Sequence, residues 1–165
     1  MTMKMMSNKE MIHQISGLLE LDAACVNAYA RALPEIDTPE LSDQLQVLYK
    51  DHVLRLRELE MILRQLGGNP QMTPIEPLSE EHHSTIGASV ETLKAVEEIR
   101  AAERAAQLAY DMASLWELPE YLKARILEFR EREHQDIAFV ERVLVSVRAA
   151  ANLWGDEDQP PILHH

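Results

Sequence analysis

The chain has 165 residues and a formal net charge of −12, which is enough length for one hydrophobic core and too little for two domains of ordinary size. Charge of that sign repels phosphate backbones and anionic bilayers, so neither nucleic acid nor a membrane is an expected partner. A single cysteine, Cys25, excludes an intramolecular disulfide; with no signal-peptide core in "MTMKMMSNKE" and no run near about 18 apolar residues, a cytoplasmic location is expected.

Abundant alanine, leucine, glutamate and arginine, with only five glycines, favour helix. The first helix is expected over about 8–33: Ser7 and Glu10 form a capping-box pattern, and Pro34 ends the run. The second is expected over 39–66, with Thr38 as N-cap, Pro39 in the first turn and Gly67–Gly68 as the stop. Residues 67–80, "GGNPQMTPIEPLSE", hold three prolines and two glycines and read as a connector. The third helix is expected over about 86–115, "WELPE" breaks it, and the fourth runs over about 119–152. Residues 155–165 read as a flexible tail. Two short connections and a longer one in the middle predict an all-α fold. It is a single antiparallel four-helix bundle over residues 1–154, with a crossover between helices 2 and 3.

The two halves resemble each other. Helix 1 carries "DAACVNAY" (Asp22 to Tyr29) and helix 3 "ERAAQLAY" (Glu103 to Tyr110). Each is followed by a Pro-Glu turn and then by a helix with a histidine near its middle, His52 or His134.

At about 100° per residue, every helix places an ionisable side chain on its apolar stripe. Asp22 is central in helix 1, His52 in helix 2 and Glu103 in helix 3, with Arg55 toward one edge of the helix 2 stripe. In helix 4, within "FREREH", Glu133 and His134 flank the centre and Glu131 sits further round. A buried ion without a partner costs several kcal/mol. Four at similar depth therefore point to a shared site, and a divalent metal is the simplest common partner for carboxylates and imidazole. Glu131 and His134 have the Glu-x-x-His spacing that projects two ligands from one side of a helix. The spacing favours Glu131 as the inward glutamate, whereas burial favours Glu133. "EEHH" at 80–83 and "DEDQ" in the tail read as solvated charge, Cys25 as a small apolar residue, and the N-terminal methionines as a disordered terminus. No hydrolase or phosphate-loop motif is present.

With "DAACVNAY", "DHVLR", "LGGNP", "ERAAQLAY" and "EREH" in that order over most of residues 10–145, the sequence resembles the ferritin-like superfamily, and within it the small bacterial ferritin-like proteins. The resemblance implies a di-iron or di-manganese carboxylate site. Asp22, His52, Glu103, Glu131 and His134 would be ligands, and Tyr29 and Tyr110 would donate hydrogen bonds to the carboxylates. With a full site, the implied activity is redox: oxygen or peroxide chemistry, or iron oxidation. Helix 2 departs from the pattern, because Arg55 stands where a second histidine is expected and a guanidinium cannot ligate a metal. Its reach suits Asp22, Glu131 or Asp51. Two readings follow: a reduced iron or manganese site of one or two ions, or a metal-free structural bundle in which Arg55 and the core carboxylates form a buried ionic cluster. A homodimer is the expected assembly; the sequence does not point to a particular small-molecule substrate.

Overall fold

A computed structural model describes residues 4–78 and 88–157. Among them the chain is all-helical, with four long helices: α1 (Asn8–Ala32), α2 (Pro39–Gln65), α3 (Ala88–Ala113) and α4 (Glu120–Glu157). The capping box at the start of α1 is formed: the Ser7 hydroxyl accepts from the Glu10 N–H, and the Glu10 carboxylate accepts from the Ser7 N–H. Pro34 does not break the chain outright but sits in a short 3-10 turn, Leu33–Glu35. Gly67 closes α2 at φ +92°, a conformation that a side chain disfavours. Gly68 follows with its backbone close against the Leu63 carbonyl, where an added Cβ would sit 3.0 Å from the oxygen.

The apolar stripes meet in one core. Ile15, Leu18 and Val26 of α1, Leu45, Leu56 and Leu59 of α2, Val96 and Ile99 of α3, and Leu122, Ile126, Phe129 and Val140 of α4 are all buried in it. Burying each such side chain contributes about 1.5–3 kcal/mol. Close backbone approaches join α1 to α2, α3 to α4 and α1 to α3. Among the described residues, α2 and α4 have no comparable approach, and charged side chains span that side instead, including Arg55 to Glu133 and Arg125 to Glu58. No described helix is long and apolar enough to cross a membrane.

Two expectations need correction. α4 continues through Glu157, so the first residues of the expected tail are helical. The N-terminal segment is held in place: the Met6 N–H donates to the Glu117 carbonyl at 3.1 Å, and Met6 packs on the core. The connector is also tied down, since buried Glu60 accepts from the Thr73 N–H at 3.0 Å and Asn27 accepts from the Glu76 N–H at 3.2 Å. "EEHH" at 80–83, the Trp154 side chain and residues 158–165 lie outside the described residues.

Candidate metal centre

The repeated octapeptides place the same chemistry on α1 and α3. An acid and a tyrosine seven residues apart share one helix face, so Asp22 with Tyr29 and Glu103 with Tyr110 all point into the core. Their hydrogen bonds cross between the helices. The Tyr29 hydroxyl of α1 donates to Glu103 of α3, and the Tyr110 hydroxyl of α3 donates to Asp22 of α1. Each phenol thus completes the carboxylate of the other half.

The other two helices each add an i,i+3 pair. From α2 come His52 and Arg55, fully buried or nearly so; from α4 come Glu133, fully buried, and Asp136, whose side chain is 14% exposed. His52 lies at the centre. Its Nδ1 is 3.3 Å from Asp22 Oδ1 and 3.6 Å from Glu133 Oε1. Its Nε2 is 2.9 Å from Glu103 Oε1, 3.8 Å from Asp136 Oδ2 and 3.8 Å from the Cys25 sulfur. Arg55 donates to Glu133 through Nη1, which is also 3.7 Å from Asp22 Oδ1, while Nη2 is 3.7 Å from Asp136 Oδ2. The guanidinium also stacks between the Tyr110 and Phe129 rings, 5.5 and 5.6 Å from their centroids.

The charges do not balance. Four carboxylates (Asp22, Glu103, Glu133 and Asp136) face two cationic side chains, Arg55 and His52. Burial raises Glu133 far above the ordinary carboxylate range, and neighbouring Glu103 adds to the rise, outweighing the pull of His52 and Arg55. Asp136 is pushed up to about 6 by burial and by Glu103. Burial alone would raise Glu103 too, but His52, its own hydrogen bonds and Tyr29 hold it below the ordinary value. Burial works against a charged His52 ring, yet Cys25, Glu103 and Asp22 keep its pKa well above the usual histidine value. Two negative charges therefore require either two protons, on Glu133 and Asp136, or one divalent cation.

The donor set fits such a cation. His52, Glu103, Glu133 and Asp136, from three helices, each offer a ligand atom, and these atoms lie within 4.8 Å of one another. Among the described residues, none donates a hydrogen bond to Glu103 Oε2, Glu133 Oε2 or Asp136 Oδ2. Buried carboxylate oxygens are rarely left that way unless a proton or an ion meets them. Cys25, His52 and Glu103 form a second, overlapping group of the same compactness.

Of the residues singled out from the sequence, Asp22, Tyr29, His52, Arg55, Glu103, Tyr110 and Glu133 are brought together. Glu131 and His134 are not. Glu131 is exposed, near Gln135. His134, 39% exposed at its side chain, pairs with Asp111 at 2.8 Å. The cause is helical phase: Leu122, Ile126, Phe129, Glu133, Ile137, Val140 and Leu144 are buried along one face of α4, and Glu131 stands about 200° from Glu133. Arg55 accordingly meets Glu133, Asp22 and Asp136 rather than Glu131 or Asp51. Sequence reasoning missed Asp136, although Glu133-x-x-Asp136 has the same spacing as Glu131-x-x-His134 and lies in phase with the buried stripe. Cys25, read as a small apolar residue, is buried in the core with its sulfur 3.8 Å from His52 Nε2. No protein-family profile matches this chain, and no curated protein does.

Proposed function

We propose that the protein is a ferritin-like bundle, antiparallel with its longer crossover between α2 and α3. We further propose that its core holds one divalent transition-metal ion, iron or manganese, in what remains of a two-ion carboxylate site. The observation that carries this reading is the convergence of His52, Glu103, Glu133 and Asp136, with three buried carboxylate oxygens unpaired and two negative charges unbalanced. The connector held along α1 and α2, and the order of the repeated motifs, support the bundle reading.

His52, Glu103, Glu133 and Asp136 would hold the ion. Asp22 would hold the proton on His52 Nδ1, so that Nε2, which lies 2.9 Å from Glu103, would give up its own proton and ligate. Tyr110 and Tyr29 orient Asp22 and Glu103. Arg55 supplies the positive charge that a second ion would otherwise bring, and its rings of contact, Tyr110 and Phe129, keep water from that half. Asp136 is the one member of the cluster that reaches solvent, and so marks the side from which a small oxidant or an ion approaches. The bound ion would supply Lewis acidity and one-electron redox capacity at that place.

The test is metal analysis of untagged protein from iron- and manganese-supplemented cells, with thermal unfolding before and after addition of each ion. Stoichiometric metal and a higher Tm are expected. Trace metal with an unchanged Tm overturns the reading and leaves the second one, a metal-free ionic cluster, which is favoured by the direct Arg55–Glu133 pair.

A further inference from the structure

We infer that Cys25 is a ligand in this centre, so that the site takes a thiophilic divalent cation, iron(II) or zinc(II), in preference to manganese(II). The inference rests on the metal reading above and deepens it. Cys25 is 1% exposed, and its sulfur lies with a His52 nitrogen and a Glu103 oxygen in a group whose atoms are all within 4.8 Å. The Sγ–Nε2 separation is 3.8 Å. Two ligands at about 2.3 Å (sulfur) and about 2.0 Å (nitrogen) from one tetrahedral ion are about 3.5 Å apart, so the pair needs only a small closure. Glu103 is the carboxylate of this group: its Oε1 lies 2.9 Å from His52 Nε2, and its other oxygen, Oε2, is buried and has no hydrogen-bond donor among the described residues.

The internal repeat makes Cys25 stand out. Ala106 occupies the matching place in the α3 octapeptide, equally buried, and offers no donor atom. The thiol is thus a heteroatom added on one side only, at the side of His52 away from Asp22. Binding forms a sulfur–metal bond and releases the thiol proton, with the His52 Nε2 proton, to solvent. Thiolate softness then orders the ions, with manganese weakest.

The test is a cobalt(II) titration of the full metal-free chain, followed by absorption. Visible ligand-field bands together with a near-ultraviolet thiolate-to-cobalt band are expected. In Cys25→Ser and Cys25→Ala the near-ultraviolet band should vanish, the visible bands should persist, and the preference for zinc over manganese should fall at least about tenfold. Visible bands in the unaltered protein without the near-ultraviolet band overturn the role of Cys25 and leave the metal centre standing. Absence of both bands overturns the metal centre itself. The spectrum of the unaltered chain decides between these, so a poorly folding variant does not obscure the answer.

Discussion

The pair of helices α1 and α2 and the pair α3 and α4 begin alike and end with opposite charge. α1 and α3 carry the same acid and tyrosine at the same spacing. Their partners carry i,i+3 pairs of contrary sign: His52 and Arg55 on α2, Glu133 and Asp136 on α4. In a symmetric two-ion site, both halves would bring anionic or neutral ligands and the ions would bring all the positive charge. Here one half carries part of that charge in its own side chains. The difference fixes which faces of α2 and α4 oppose each other. It also leaves a deficit of two charges in place of a larger one, which one divalent ion would balance in the proposed site.

The largest break in this comparison is Arg55→Ala. It removes the internal cation and strands Glu133, so metal-free unfolding in urea should lose about 3–5 kcal/mol. Arg55→Met combined with Glu133→Leu should recover most of that loss, because the pair then goes together. A loss below about 1 kcal/mol for Arg55→Ala would show that charge does not join the two pairs. Next come the crossed phenols. Tyr29→Phe and Tyr110→Phe each remove one donor from a buried carboxylate and should each cost about 1–3 kcal/mol. Similar costs would confirm that the two halves are equivalent at this level, and a large gap would break the symmetry.

A third expectation concerns pH. Folding raises Glu133 from 4.5 to about 9 and Asp136 from 3.8 to about 6. Both are acids that hold their protons longer in the folded chain, so their contribution is full at low pH and declines as pH rises through those values. His52, also raised, acts with the same sign, while Glu103, lowered, acts oppositely as pH falls. The metal-free protein should therefore unfold at progressively lower urea as pH rises from about 4.5 to about 9, with the share of Asp136 gone by about pH 6, and a stoichiometric divalent ion should flatten that slope. The smallest effects belong to the residues outside the cluster. Glu131→Gln should change stability by less than about 0.5 kcal/mol and His134→Ala by less than about 1 kcal/mol, with cation-induced Tm shifts unchanged.

The helices were legible because their ends carry strong local signals, such as Ser7 with Glu10, Pro39 and Gly67, and because the apolar stripes keep one phase. Asp22, His52, Glu103 and Glu133 were legible for the related reason that a charge on a stripe is conspicuous. The α4 pair was misread where a motif's spacing was weighed against helical phase: Glu131-x-x-His134 has the right interval on the wrong face. Asp136 escaped because it sits at the edge of the stripe, partly open to solvent, and an acid there looks like ordinary surface. The approach of the Cys25 sulfur to His52 was not legible, because the two residues are 27 apart in the chain.

The crossed tyrosines bear on how the chain folds. Neither pair of helices can complete its own buried acid: Asp22 is capped from α3 and Glu103 from α1. A half-folded molecule with one pair collapsed would enclose a carboxylate without its phenol, a state penalised by desolvation on both sides of the missing bond. Partial structures are thereby discouraged, and the cooperative unit of unfolding is the whole chain rather than either of its similar halves.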